Sequence, residues 1–352
     1  MDEGRIIVRK IAEEQEEAVE NFYDEKKQIG QDDRRQLPFY NYRCFQNWIK
    51  SVLINEAVRY AKEGTGASEI SVLDLGCGKG GDLKKFMSND VANYVGVDVA
   101  LGQLRDALRR KLESRFQFPT CFIKENGAAP PEQFLSKLEP NEQFNLVSAQ
   151  FCIHYFFANE TSVRNFLGNI SARLARGGIF CATFPDSKVI AKNIETRLGS
   201  GDDPVVFENS FYSVIMSREE MDKPDFGIRY GFFLDGDLIG SRKETPSRVT
   251  IEYVPEFLVL MEPFLRIAAE YGFELVINQN FHKFYAEQVR KQEYFNLLRK
   301  MRFNETEDGP LISEDGWLTS YLYCVLILRK TTGPHFDNTR QYRHPSYFNL
   351  KY

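Results

Sequence analysis

Residues 71–84 read SVLDLGCGKGGDLK. Four glycines fall within six positions, 76 to 81, directly behind a short apolar run. Glycine loses more conformational freedom on folding than any other residue, so such a cluster marks a sharp backbone turn or the close approach of a ligand. A strand that ends in a glycine turn and opens a helix aims backbone N–H groups and a helix N-terminus at whatever lies above it. The lysine inside the cluster, Lys79, invites a phosphate-loop reading, but it is followed by Gly80, where that motif needs Ser or Thr. A dinucleotide loop is a poor match too, because the turn is preceded by an acid, Asp74. In the next strand, YVGVDV at 94–99, Asp98 stands where a carboxylate can accept two hydrogen bonds from a ribose diol. The bland alternative is that the glycines only close a turn and Asp98 only caps a helix. It leaves the pairing of loop and acid within one βαβ unit to chance.

Composition narrows the setting. The chain has 352 residues, of which 43% are hydrophobic, enough for one large domain or two small ones. Net charge is −5, which does not describe a protein that coats nucleic acid through bulk charge, so any RNA contact is expected at a local groove. Cysteines stand singly at 44, 77, 121, 152, 181 and 324, the pattern of a reduced intracellular protein rather than a disulfide scaffold. Four histidines, none spaced with another His, Cys or acid as metal ligands are, predict no metal. The start, MDEGRIIVRKIAEEQEE, lacks the apolar stretch of a secretory signal, and the longest apolar run, YLYCVLIL at 321–328, is too short to cross a bilayer. A soluble protein is expected, with no membrane partner.

Outward from the glycine turn, strands and helices alternate. SVLDL (71–75), NYVGVDV (93–99), TCFIKEN (120–126), FNLVSAQF (144–151), IFCATF (179–184), ELVINQNF (274–281) and YLYCVLILRK (321–330) read as seven strands. Helices are expected at 8–29, 37–62, after the glycine turn, after Asp98, at TSVRNFLGNISARLA ending at Gly177-Gly178, and around 285–302. This is an α/β chain with a doubly wound, Rossmann-like seven-stranded sheet. Residues 1–36 are expected to form an N-terminal helical segment, 37–330 the main domain, and 331–352 a tail without periodicity. Within the main domain, 205–254 is rich in aromatics, turns and alternation, and reads as an inserted antiparallel region.

The run DLGCGKGGD followed by Asp98 resembles the class I S-adenosylmethionine-dependent methyltransferases. Three further segments narrow the likeness: FQNWIKSVLI (45–54), QFCIHYFF (150–157) and FGIRYGFFLDG…IEYVPEF (226–257). Together with NFYDEKKQIG near the start, they resemble the mRNA cap guanine-N7 methyltransferases from about Asn21 to Lys330. That resemblance implies methyl transfer from S-adenosylmethionine to N7 of the cap guanine of GpppN-ended RNA, with S-adenosylhomocysteine as product and no metal. It places Lys50, Gly76, Asp98, Asn126 and Gln150 around the donor. Lys50 would meet the methionine carboxylate and Asp98 the ribose. Asn126 stands where the family usually has Asp, beside the adenine amine, and its amide oxygen would accept in place of a carboxylate. On the cap side it places Tyr23, Gln46, Asn47, His154, Tyr155, Glu252 and Tyr323, with Gln46 in place of the usual Asn. Each cap-side residue also has a plain reading: His154 and Tyr155 as core, Glu252 as an exposed strand residue, Tyr323 as a packed face of the last strand.

Guanine N7 carries a lone pair at neutral pH, so the reaction needs no general base. His154, Tyr155 and Glu252 are expected to orient the guanine rather than move protons. The resemblance further implies RNA triphosphatase and guanylyltransferase as companion capping enzymes and a nuclear location. The guanylyltransferase motif K-x-D-G is absent from this chain; KPDFG at 223–227 has another register. Two rival readings stand beside this one: a non-catalytic cap-site subunit that kept the fold, and a methyltransferase of small molecules.

Overall fold

The computed structural model describes residues 6–11, 20, 22, 39–114, 118–198, 203–236, 239–301, 312–337 and, by backbone alone, 348–351. Its first element is a strand, β1 (Ile6–Ile11). This corrects the expectation of a helix at 8–11. The alternation in IIVRKI suits an edge strand, and β1 pairs in parallel, Ile6 to Arg248 through Ile11 to Tyr253. Most of the remaining N-terminal segment, residues 12–19, 21 and 23–38, lies outside the described residues.

Helix α1 (Tyr40–Thr65) follows the apolar spacing of FQNWIKSVLI and runs three residues beyond the helix expected at 37–62. Phe45, Trp48, Ile49, Val52, Leu53, Ala57 and Ala61 form its buried face, and Gly66, with φ +68°, ends it in the left-handed conformation. Trp48 Nε1 donates to the Tyr294 carbonyl at 3.0 Å, which ties α1 to the C-terminal helices.

The central sheet comprises β2 (Ile70–Leu75), β3 (Val91–Asp98), β4 (Thr120–Lys124), β5 (Phe144–Gln150) and β6 (Leu174–Pro185). Helices α2 (Leu83–Met87), α3 (Leu101–Glu113), α4 (Pro131–Ser136) and α5 (Glu160–Arg173) connect them. β6 begins directly after α5 and carries Gly177-Gly178 inside it, so the glycines expected to end the helix belong to the strand. Every residue of β2 and β5 is buried, as a strand covered on both faces must be. Burial of a side chain such as Leu73 or Val147 stabilises the fold by about 1.5–3 kcal/mol.

After α6 (Ser187–Glu195) come β7 (Val205–Glu208), β8 (Tyr212–Met216), β9 (Arg229–Leu234), β10 (Ser241–Thr245) and β11 (Arg248–Phe257). They pair antiparallel and, with β1, form a separate six-stranded sheet of order β1-β11-β9-β8-β7 with β10 on β11. Val214, Met216, Tyr230, Phe232 and Leu234 face the main core, whereas Ile215, Phe233, Val249, Ile251 and Tyr253 pack with each other on the far face.

The chain then returns to the central sheet through α7 (Met261–Glu270), β12 (Phe273–Asn280), α8 (Phe281–Gln288), α9 (Gln292–Lys300), α10 (Glu314–Ser320) and β13 (Tyr323–Lys330). The single helix expected around 285–302 is thus two, α8 and α9. The order is β12-β13-β6-β5-β2-β3-β4-β14, where β14 (Phe348–Lys351) is an eighth strand from the tail, parallel to β4. β13 is antiparallel to both of its neighbours, and β4, β3, β2, β5 and β6 are parallel. The seven expected strands therefore form the doubly wound sheet, whose switch point lies between β2 and β5.

Candidate active site

At the switch point the carboxyl ends of β2, β3, β4 and β5 border one cavity. It has a volume of about 380 Å³, and its lining includes Gly76, Gly78, Asp98, Asn126, Gln150 and Tyr155. The glycines are used as the sequence suggests. Gly76 (φ +66°) and Gly78 (φ +51°) hold left-handed backbone, and a Cβ on Gly76 would lie 2.7 Å from the Cβ of Cys152. Asp98 fixes the turn from the next strand. Its Oδ2 accepts from the Gly78 N–H at 2.8 Å and its Oδ1 from the Ala100 N–H at 2.9 Å, so one carboxylate braces both the glycine turn and the start of α3.

Asn126 follows β4. Its Oδ1 accepts from the Ala128 N–H at 2.9 Å and closes a tight turn. Gln150 ends β5; its Nε2 lies 3.2 Å from Ser148 Oγ and its Oε1 accepts from Thr183 Oγ1 at 3.1 Å. The next residue, Phe151, also lines the cavity and holds φ +59°, rare for a side chain of that bulk.

Lys50 lies outside this lining. Its ammonium sits 2.9 Å from Asp82 Oδ1 and 5.7 Å from the centre of the Phe151 ring. Lys85 lies 2.7 Å from the same oxygen and donates to Asn47 Oδ1 at 3.0 Å. Burial opposes ionisation of Asp82, but the two lysines outweigh it and hold the carboxyl well below the ordinary range. Asp74, buried under the turn, goes the other way. Burial and the Asp82 charge push it up to about 7, against hydrogen bonds from Tyr94 and Ser148. Lys79, the lysine inside the glycine cluster, pairs with Asp106 at 3.1 Å and is largely buried.

The turn Ile153–Phe156 carries His154 and Tyr155, whose rings are 4.2 Å apart. Tyr155 lines the cavity and His154 lies behind it, 3% exposed, with Nε2 3.4 Å from Glu256 Oε1. Glu256 is fully buried, and its other oxygen accepts from the Tyr230 hydroxyl at 2.6 Å. Neither His154 ring nitrogen nor Glu256 Oε1 has a hydrogen-bond partner among the described residues. Buried polar atoms left so are costly, and here Nε2 and Oε1 face each other across 3.4 Å.

Glu252, the acid expected on the cap side, is elsewhere. It lies on the half of β11 paired with β1 and β10, about half exposed, and accepts from Ser241 Oγ at 2.6 Å. That hydrogen bond, against partial burial and with help from Lys243, keeps its carboxyl below the usual value. Glu256 is four residues, two strand-face repeats, further on, where β11 pairs with β9 against the main core. The segment IEYVPEF contains both acids, and only the strand's change of partners distinguishes them.

Tyr323 starts β13, 2% exposed, with its ring edge-on to Phe151 at 5.2 Å and stacked with Phe281 at 5.6 Å. Burial and the nearby Tyr42 raise its hydroxyl well above the ordinary phenol range, and its side chain hydrogen-bonds Tyr42. Gln46 Nε2 donates to the same Tyr42 hydroxyl at 2.6 Å, so Gln46 supports the Tyr42–Tyr323 pair. Asn47 Nδ2 donates to the Arg43 carbonyl at 3.0 Å. Tyr23 lies outside the described residues. Sequence reasoning missed Phe151, Glu256 and Phe156. The first and last stood within the quoted QFCIHYFF, where their apolar neighbours made them look like core.

The glycine cradle, Asp98 and a cavity of about 380 Å³ fit an adenosine-bearing ligand. Among the described residues there is no cluster of His, Cys, Asp or Glu able to hold a metal ion. A family model described as the mRNA (guanine-N(7))-methyltransferase domain matches residues 7–331. The chain is 33% identical over 331 residues to mRNA cap guanine-N(7) methyltransferase 1 of Oryza sativa subsp. japonica, covering 90% of this chain and 82% of that one. It is 32% identical over 301 residues to the mRNA cap guanine-N(7) methyltransferase of Schizosaccharomyces pombe, covering 83% and 76%. Among solved structures, an S-adenosylmethionine-dependent methyltransferase from Clostridium acetobutylicum aligns with a TM-score of 0.45 at 11% identity, covering 83% of this chain and 92% of that one.

Proposed function

From the chain's membership of the mRNA cap guanine-N7 methyltransferase family, whose members use S-adenosylmethionine to methylate the cap guanine, we propose the following division of the site. Asp98 and the 126–129 turn hold the adenosine end of the donor, and Gln150 and the glycine turn hold its middle. Lys50 reaches its carboxylate from beside Phe151. His154, Tyr155, Glu256 and Tyr323 receive the guanine. The observation that carries this reading is the buried His154–Glu256 pair, 3.4 Å apart and without hydrogen-bond partners for either ring nitrogen or for Oε1 among the described residues, directly behind Tyr155, which lines the cavity.

When bound, S-adenosylmethionine supplies an electrophilic methyl group on a sulfonium. The chain's own residues bring the acceptor to it. Tyr155 offers a ring face for the purine, and such stacking is worth about 1–3 kcal/mol per base. Glu256 accepts from the guanine N1–H and exocyclic amine, which reads the base, and its charge favours the positive charge the purine gains on methylation. No side chain has to remove a proton from N7, so holding the reactants in line is the main contribution, an effect of roughly 7–11 kcal/mol. RNA triphosphatase and guanylyltransferase are the expected upstream partners, and the nucleus the expected place of action.

Methyl transfer to GpppN-ended RNA, to GTP and to uncapped RNA, compared side by side, tests the reading. Strong preference for the capped end, lost in Glu256→Gln and kept in Glu252→Ala, is the expected result. Equal rates on unrelated small acceptors, or full guanine preference in Glu256→Gln, would overturn it.

A further inference from the structure

Part of the cavity wall is a short loop, Asn126 to Ala129, whose first two residues line the cavity, and it is held from behind. Asn169, on α5, is fully buried. Its Nδ2 donates to the Gly127 carbonyl at 3.0 Å and to the Ala129 carbonyl at 2.9 Å. These two acceptors flank Ala128, whose N–H closes the turn onto Asn126 Oδ1. On its cavity side the loop is pressed by Phe156, since a Cβ on Gly127 would lie 3.1 Å from that ring. Phe156 in turn stacks on Phe166 at 4.6 Å, three residues before Asn169 on the same helix. Asn126, Gly127 and Phe156 all line the cavity. The loop is thus clamped between a ring in front and one amide behind, both set by α5.

The amide is an expensive choice for packing alone. Its Oδ1 is buried without a hydrogen-bond partner among the described residues. An apolar side chain of the same branched shape would strand no oxygen of its own, so what the amide contributes is its pair of donors. Without them, the Gly127 and Ala129 carbonyls could find water only if the loop moved off α5 and into the cavity.

We infer that Asn169 is a positioning residue for the methyl donor, fixing the 126–129 loop in the shape that receives the adenosine end. This rests on the reading of the cavity as the donor site. Asn169 touches neither reactant, so its effect falls on donor binding and spares the acceptor.

The test uses the full chain with Asn169→Leu, which keeps the branched skeleton and removes both donors, and Asn169→Ser, which keeps one hydroxyl donor. KM is measured for S-adenosylmethionine and for GpppN-ended RNA, with kcat at saturating donor. Hydrogen exchange of the 125–130 segment and S-adenosylhomocysteine titration accompany the kinetics. Asn169→Leu is expected to raise the donor KM about tenfold, the loss of roughly one to two net hydrogen bonds, with kcat and RNA KM within about twofold and faster exchange at 125–130. Asn169→Ser should fall between Leu and the parent. A donor KM within twofold of the parent, or a loss shared equally by kcat and both KM values, would overturn the inference. So would Ser faring worse than Leu, which would make volume the cause. Should Leu fail to fold, the Ser kinetics and the parent's own exchange pattern decide instead. A Ser variant with the parent's donor KM, or a parent in which 126–129 is protected no better than the exposed 332–335 stretch, would then overturn it. Asp98→Ala separates the two levels. If it still binds S-adenosylhomocysteine, the donor-site reading fails; if it does not and the Asn169 variants bind normally, only this inference fails.

Discussion

Replacing Asp74 with Asn should make the protein progressively more stable than the parent as pH rises. Asp74 is 2% exposed beneath the glycine turn, its Oδ2 accepting from the Tyr94 hydroxyl at 2.7 Å. Burial and the neighbouring Asp82 charge raise its pKa from 3.8 to about 7. The folded protein therefore keeps a proton on Asp74 up to about pH 7, whereas the unfolded chain has released it near pH 3.8. Between these values the unfolded state binds fewer protons, so stability falls as pH rises, and the penalty levels off above pH 7. Integrating that one site from pH 5 to pH 8 gives about 2 protons times pH, or roughly 2.7 kcal/mol at 1.36 kcal/mol per unit. Asn keeps an oxygen for the Tyr94 hydroxyl and has no proton to lose. Urea unfolding of both proteins at pH 5, 6.5 and 8 should show the variant gaining about 2.7 kcal/mol on the parent across the series, with equal m-values. Parallel stability curves, within about 0.5 kcal/mol over the range, would refute the assignment of a protonated Asp74.

Asp98→Ala should abolish detectable S-adenosylhomocysteine binding by calorimetry, because it removes the ribose acceptor and also frees the Gly78 and Ala100 N–H groups from their shared brace. Glu256→Gln should lower kcat/KM on capped RNA by about a hundredfold, the scale of one charged, fully buried contact of 2–3 kcal/mol, while Glu252→Ala changes it less than about twofold. Steady-state kinetics on one RNA decides between the two acids. Gly177→Ala should cost about 3 kcal/mol in urea unfolding, since Gly177 has φ +82° and an added Cβ would collide with the Gly64 carbonyl at the end of α1.

The central sheet was legible in the sequence because each of its strands is a short apolar run and each glycine turn has a local backbone cause. Gly76, Gly78 and Asp98 meet where expected, since a βαβ unit leaves little freedom in how its first turn faces its second strand end. Elements whose identity depends on distant partners were harder to read. IIVRKI is followed by a charged run that reads as helix, and only pairing with Arg248–Tyr253 makes it a strand. Phe348–Lys351 has no strand signal of its own, and it is the open edge of β4 that recruits it.

The site shows the same division more sharply. Glu252 and Glu256 point to the same face of one strand, because side chains repeat every second residue. No local property of IEYVPEF separates them. What does is that β11 changes neighbours: up to Tyr253 it is flanked by β1 and β10, and from Val254 it lies beside β9. The first acid is therefore left at a half-solvated edge with Ser241 and Lys243, and the second is carried over the main core against Tyr230 and His154. The same logic reassigns Gln46. Its longer side chain spans one helical turn to the Tyr42 hydroxyl, and Tyr42 in turn hydrogen-bonds Tyr323, so the side chain expected to touch the cap is engaged with Tyr42 instead. If that chain of contacts positions the ring, Gln46→Ala should raise the KM for capped RNA about fivefold through the loss of one neutral hydrogen bond, and leave S-adenosylhomocysteine affinity unchanged. Tyr42→Phe, which breaks the chain at its middle link, should reproduce that effect without adding to it in the double variant. Additive losses would show that Gln46 and Tyr42 act on the cap independently.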